Sequence, residues 1–321
     1  MLAVLFALIA LVPAQVSQDS NATAIRSAVA QLGSFDFATR TSAARVVRRA
    51  PAAVSVPILQ DAVQSSTDEY VQFRALVLLT SVDARAAATT AARVLTDRND
   101  RVRAVDYQWF EHHPQAEVLP KLLAALTTEQ SAFTRPSLTR ALAASGSDAR
   151  VRDALTPLVT RGEDIYRGAV IEALGDYDGR YALGPITSVA ELDGPLQDDA
   201  VTALGRLGDA SSRAVLAKLQ ARVPREMQPT VSAALCLQGI DCDARLTYLG
   251  STLDFAAATP GYEALLRGAV HGLAVLASTG NESALAMLLD AGIRSKEVAR
   301  GPIALGGGLV ARRRADGVMK V

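Results

Sequence analysis

The sequence predicts an all-α fold, a right-handed α–α superhelix in which helix pairs stack as a solenoid. Half of the 321 residues are hydrophobic but only 5% are aromatic, and a core of small aliphatic side chains suits closely packed helices better than sheets. A second observation is that one pattern of polar, apolar and glycine residues recurs along the chain at an almost fixed interval. Within each interval the apolar residues follow the spacing of a helix face.

The repeat is clearest in the string RGAV, which occurs at Arg167 and again at Arg267. Alignment on this string gives nine anchor positions with a mean spacing of 260/8 = 32.5 residues. A fixed period of this length indicates a solenoid, because each unit buries its apolar face against its neighbours. The anchors are Arg40, Arg74, Arg103, Arg135, Arg167, Asp199, Thr230, Arg267 and Arg300.

Each unit is predicted to be a helix, a turn and a second helix. A carboxylate such as Asp100 or Asp164 opens the first helix, where it can accept hydrogen bonds from free backbone N–H groups. A glycine such as Gly175 or Gly208 follows the apolar segment and can end the helix in the left-handed conformation. The second helices are expected to form the concave surface of the solenoid.

Two strings carry a family resemblance. The Asp-x-Val-Arg string at Asp100–Arg103 and the Ala-Leu-Gly-Asp string at Ala173–Asp176 resemble HEAT-like repeats of the short phycobilisome-lyase type. Ankyrin and tetratricopeptide units have a similar length. However, the ankyrin-like string at Thr156–Leu158 does not recur, and no unit shows the tetratricopeptide Trp and Tyr pattern. The resemblance implies a stacked helical scaffold and names no activity.

The N-terminus predicts export. Leu2–Val12 is an apolar run of eleven residues, which is too short to cross about 30 Å of hydrocarbon as a helix. Ala14 supplies a small residue where a signal peptidase cleaves, so a periplasmic or secreted location is expected. The predicted organisation is a signal peptide at 1–14, a polar lead-in at 15–33, about eight repeats at 34–300, and at 301–321 a partial ninth unit or a frayed Gly/Arg-rich tail.

The sequence contains little that points to catalysis. The formal net charge is zero, whereas a nucleic-acid binder shows a basic excess. His112 and His113 lie at a predicted turn and His271 in a first helix, and none has a partner at metal-ligand spacing. No nucleophile motif and no phosphate loop is found. The chain is therefore expected not to be an enzyme and to need no cofactor or metal.

Two groups of residues are candidate sites. Cys236 and Cys242 are the only cysteines, and their position across one turn of an exported chain favours a disulfide over two buried thiols. The second group consists of arginines that each follow a capping-type residue at the start of a second helix. They either pair with a cap aspartate or form a strip for an acidic peptide or anionic polymer. These arginines are Arg85, Arg150, Arg180, Arg213 and Arg245.

The function that the sequence favours is that of an exported HEAT-repeat scaffold or a module that binds a protein or peptide. Its partner could be acidic, while nucleic acid and stable membrane insertion after signal cleavage are not expected. Two alternatives remain open. One is an enzyme or enzyme-accessory protein with a site on the concave surface, and the other is a purely structural spacer in the cell envelope.

Overall fold

A computed structural model describes residues 12–295 and 297–313. Over these residues the chain forms α-helices and three short 3₁₀ segments, with no strand, so the predicted all-α class is confirmed. Most of the predicted signal peptide and the end of the predicted tail lie outside the described residues. No helix in the described part is both long and apolar enough to span a membrane.

The helices are numbered here in chain order. The 3₁₀ segments Thr156–Val159, Arg180–Ala182 and Ala210–Ser212 precede or follow second helices. The α-helices are α1 Val12–Gln31, α2 Phe37–Arg49, α3 Ala52–Ser65, α4 Glu69–Val82, α5 Ala84–Val94, α6 Asp100–His112, α7 Leu119–Thr128, α8 Arg135–Ala143, α9 Ala149–Leu155, α10 Asp164–Asp176, α11 Leu183–Glu191, α12 Gln197–Leu207, α13 Arg213–Arg222, α14 Gln228–Leu237, α15 Cys242–Ala258, α16 Glu263–Ser278, α17 Glu282–Arg294 and α18 Glu297–Arg313.

The chain forms two compact units, residues 1–144 and 145–321. In the first unit, α4 packs on α3, and α6 packs on α8. In the second unit, each first helix packs on the next first helix, in the order α10, α12, α14, α16 and α18. Each second helix packs mainly on the first helices beside it. This alternation buries one apolar face per helix, as the repeat pattern predicts.

The first helices form the more tightly packed layer of the second unit. They contact one another extensively, whereas α11 and α13 touch only at a few positions. A stack bends toward the layer in which neighbours are closer. The expectation that the second helices form the concave side is therefore wrong for this unit, because its inner layer consists of the first helices.

Glycine and alanine set the close spacing of this inner layer. A Cβ atom on Gly205 would lie 2.6 Å from Cα of Ala234, and one on Gly175 would lie 2.9 Å from Cα of Ala203. Gly175 lies inside α10, so the expectation that it ends the helix is wrong. Gly208 ends α12 with a φ of 62°, as the sequence pattern predicts.

Adding a methyl group at this contact is expected to destabilise the second unit. Gly205→Ala should lower the free energy of unfolding by ~1–2 kcal/mol, because overpacking outweighs the higher helix propensity of alanine. Gly301→Ala in α18 is the matched control, since a Cβ there meets nothing within 4 Å. Urea denaturation followed by circular dichroism should show the two variants shifted in opposite directions. A Gly205→Ala variant as stable as the wild type would contradict the proposed close contact.

Helix α14 is enclosed by its neighbours. All residues from Pro229 to Cys236 are buried. Across this helix, Thr202 Oγ1 of α12 lies 3.2 Å from His271 Nε2 of α16. Two first helices that are not neighbours in the repeat order therefore meet directly.

Helix α18 contains the predicted helix-weakening glycines. Gly306, Gly307 and Gly308 lie within Glu297–Arg313. A Cβ on Gly306 would lie 2.5 Å from Val270 Cγ1, so glycine permits α18 to pack closely on α16. Residues of α18 and α16 also line a cleft between the two helices.

Candidate binding site

The arginine that marks most repeats has a structural role that its sequence position did not reveal. Its guanidinium donates a hydrogen bond to a backbone carbonyl in the loop that precedes its own helix, a contact called the loop clamp below. Because the loop would otherwise leave carbonyls unsatisfied, this bond fixes the approach to each first helix. The donor–acceptor pairs are Arg40 to Ser34 at 3.1 Å, Arg103 to Asp97 at 2.7 Å, Arg135 to Glu129 at 3.1 Å, Arg167 to Val159 at 3.1 Å and Arg300 to Ser295 at 3.1 Å.

The loop clamp is missing at four anchors, of which three are consecutive. Arg74 donates to the carbonyl of Leu32, which follows α1, instead of to the loop before its own helix. Asp199 and Thr230 cannot donate it, and Thr230 Oγ1 is buried without a hydrogen-bond partner among the described residues. Arg267 is exposed on α16, and its guanidinium forms no hydrogen bond or ion pair within the described part of the chain. In a regular repeat, positions that break a local rule concentrate at functional sites. The three anchors thus single out α12, α14 and α16.

Asp199 introduces a titratable acid where other repeats carry a permanent cation. Its carboxylate packs against Gly168 of α10. Burial raises the pKa of Asp199 to about 6, and the neighbouring charges of Glu172 and Asp198 contribute in the same direction. The charge at this anchor therefore changes between pH 5 and pH 7.

Two clefts adjoin α16 and share Arg267 and His271. The first, called the apolar cleft, has a volume of about 710 Å³ and lies between α16 and α18. Apart from the two shared residues, its lining is entirely apolar or glycine. The larger of these side chains are Val270, Ala274, Pro302, Ala304, Leu305 and Leu309.

The second, called the acidic cleft, has a volume of about 510 Å³. It is bounded by α16 and by the loops before α12 and α14. Its charged lining residues are Asp193, Asp198, Glu226 and Arg267. Two of the loops that lack a clamp therefore form this cleft.

Arg267 and His271 separate the two clefts. They are four residues apart and so lie on the same face of α16. Thr202 holds His271 through the 3.2 Å contact. Glu263, one turn before Arg267, accepts a 3.0 Å hydrogen bond from Gly261 N–H, and backbone hydrogen bonds are the main cause of its lowered pKa, with a smaller contribution from the Arg267 charge. Since Glu263 binds backbone, the Arg267 guanidinium remains available to a ligand.

The predicted cysteine pair lies elsewhere in the same unit. Cys236 is near the end of α14 and Cys242 begins α15, and their Cα atoms are 4.3 Å apart. Asp241 and Gly239, with φ angles of 47° and 75°, turn the chain sharply between them. The two cysteines are thus at disulfide distance, near the lower end of the range that disulfides usually show.

The five predicted arginines have different surroundings. Arg150 and Arg180 each pair with their own cap aspartate, Asp148 and Asp178, at 2.8 Å. Arg245 donates to the carbonyl of Ile240 at 2.9 Å. Arg85 and Arg213 are exposed and form no side-chain hydrogen bond or ion pair within the described residues. Arg85 belongs to the first unit and the other four to the second, and the choice between pairing and binding stays a prediction.

Comparison with known proteins gives a fold likeness alone. No family model and no curated protein matches this chain. Among solved structures, human deoxyhypusine hydroxylase in complex with glycerol is similar, with a TM-score of 0.34 and 15% sequence identity. The match covers 80% of this chain and 96% of that chain. That protein is a helical solenoid of HEAT-like repeats.

The comparison corrects one expectation. The sequence pattern predicts that the chain is not an enzyme, but the similar solved structure is that of a hydroxylase. Stacked helical repeats thus occur in an enzyme, and the lack of a familiar catalytic motif does not exclude catalysis. A likeness at this TM-score identifies no reaction for this chain, and among the described residues no cluster of His, Cys, Asp and Glu suits a metal ion.

Proposed function

We propose that this chain is a scaffold-like module of HEAT-like repeats that binds a protein or peptide partner outside the cytoplasm. The observation that carries the proposal is the pair of clefts around Arg267, at three consecutive repeats that lack the loop clamp. Export is supported by the apolar run at Leu2–Val12 and is compatible with a cysteine pair at disulfide distance, since disulfides persist outside the cytoplasm.

The composition of the site favours a polypeptide partner. Repeat solenoids present extended surfaces that hold proteins or peptides. Here an apolar cleft and an acidic cleft lie side by side on the inner layer of one unit, with Arg267 between them. Binding sites combine an apolar lining with a few placed polar groups in the same way. The exposed Arg213, at the start of α13, is a further position at which an acidic segment of the partner could bind.

The proposal is tested by site-specific photo-cross-linking in the cells that make the protein. A photoreactive amino acid replaces Leu305, an exposed wall of the apolar cleft, or Ile165 as a control, since both side chains are about 80% exposed. We expect a discrete adduct with one polypeptide from position 305 and none from position 165. Identical adduct patterns from the two positions, or none from either, would refute a partner site at the cleft.

A further inference from the structure

We infer that the apolar cleft binds the C-terminal end of a polypeptide, with the terminal carboxylate on Arg267 and the last apolar side chains against α18. This inference rests on the proposed function and names the chemical class of its ligand. The ligand group is a free carboxylate joined directly to apolar residues.

The charge of the cleft selects an anion. Among the described residues that line the apolar cleft, Arg267 is the only Arg, Lys, Asp or Glu. A guanidinium binds a carboxylate through two parallel hydrogen bonds, and the nearest acid on its own helix, Glu263, is held by backbone N–H of Gly261. A ligand carboxylate can therefore pair with Arg267 without breaking an ion pair of the described structure.

The acidic cleft fixes where that carboxylate lies. Asp193, Asp198 and Glu226 line it on the other side of Arg267. These carboxylates repel an anion, so a ligand carboxylate is confined to the boundary between the clefts. An apolar group attached to it then extends toward Leu305 and Leu309, away from the acids.

The shape of the apolar cleft favours a peptide end over a fatty acid. Leu305 forms part of the wall and is 78% exposed, so the cleft covers its occupant on one side. A long alkyl chain held this way leaves much of its surface in water. Each Å² that stays exposed forgoes about 25 cal/mol of favourable binding free energy. A peptide end instead inserts its apolar side chains and keeps its polar main chain in solvent.

The first test compares two peptides that differ in one group. A fluorescent peptide ending in two leucines is prepared as the free acid and as the C-terminal amide, and binding is measured by fluorescence anisotropy. We expect the acid to bind about tenfold more tightly than the amide, the effect of one charge-assisted pair. Arg267→Gln should bring the acid to the affinity of the amide. Arg161→Gln, which alters another exposed arginine of the same unit, should leave the tenfold difference intact.

The second test fills the cleft. Gly301→Phe places a ring in the apolar cleft. Gly307→Phe places one on a different face of α18, among residues that line a cleft with α17, and a Cβ at either glycine meets nothing within 4 Å. We expect Gly301→Phe to abolish peptide binding and Gly307→Phe to preserve it, with the helicity of both variants unchanged by circular dichroism.

Three results would overturn the inference. Equal binding of the acid and the amide would show that the terminal carboxylate does not contribute to affinity. Binding of the free acid by Arg267→Gln at wild-type affinity would show that Arg267 does not pair with it. Binding of decanoate without binding of the free-acid peptide would make the ligand a fatty acid. If a photo-adduct forms at position 305 but the free acid and amide bind equally, the proposed function stands and this inference alone fails.

Discussion

Asp106→Asn is expected to raise the free energy of unfolding at neutral pH. Asp106 is fully buried on α6, and neither carboxylate oxygen has a hydrogen-bond partner among the described residues. Burial raises its pKa well above the ordinary value of 3.8, and the charge of Asp97 raises it further. The folded protein must therefore keep this group protonated at a pH where the unfolded chain releases the proton.

The sign of the pH dependence follows from this shift. The folded state binds the extra proton, so the contribution of Asp106 to stability is highest below pH 3.8 and falls as the pH rises toward the folded-state pKa. The loss is about 1.4 kcal/mol for each pH unit. Asparagine has no such proton, so the stability gained by Asp106→Asn should grow from pH 4 to pH 7 in urea denaturation. Asp61→Asn, at an exposed acid, is the control, and equal gains at every pH would contradict the buried-acid account.

The opposite effect is expected at Glu129. Its side chain is 2% exposed and accepts hydrogen bonds from Arg103 at 2.7 and 2.8 Å, from Tyr107 at 3.2 Å and from Ser131 N–H at 2.9 Å. Glu129→Gln leaves the Arg103 guanidinium without its counter-charge inside the first unit. Breaking a buried pair in this way costs about 3–5 kcal/mol, which should appear as a lower urea midpoint.

The pH profile provides a second readout for Glu129. Burial acts to raise its pKa, but the hydrogen bonds from Arg103, Ser131 and Thr134 outweigh burial and lower the pKa from 4.5 to about 2. Stability from this group is therefore present above pH 4.5 and is lost as the pH falls toward 2, by roughly 3 kcal/mol in total. Glu129→Gln should reduce this loss of stability between pH 4.5 and pH 2. Asp290→Asn, in an exposed pair with Arg294, should leave the loss unchanged. If Glu129→Gln lost as much stability between pH 4.5 and pH 2 as the wild type, the proposed role of the Glu129–Arg103 ion pair would be contradicted.

Features encoded by local contacts could be predicted from the sequence. The period, the helix pairs and several caps follow from residues close in the chain, as at Asp83, which accepts from Ala86 N–H at 2.8 Å. The identity of the inner layer could not be predicted in this way. It depends on the contact between Gly205 of α12 and Ala234 of α14. The sequence of a single repeat does not show which residues of neighbouring repeats will be in contact.

The candidate site was only partly visible in the sequence. Arg267 is one of the repeat anchors, and its loss of the loop clamp shows only when the loop contacts of all anchors are compared. The signal that was present is the replacement of arginine by Asp199 and Thr230 at two successive anchors. The volume and the apolar lining of the cleft depend on how α18 packs on α16, with a close contact at Gly306 and Val270.

The contact between Thr202 and His271 has a consequence for how the second unit folds. In an ideal repeat protein each unit interacts with its nearest neighbours alone, and stability is a sum of unit and interface terms. This hydrogen bond joins residues separated by 69 positions and spans two repeat intervals. Helices α12 and α16 are thereby coupled directly, and their docking encloses α14. This part is then expected to unfold cooperatively, instead of losing repeats stepwise from one end. Its folding has to close a long loop between α12 and α16.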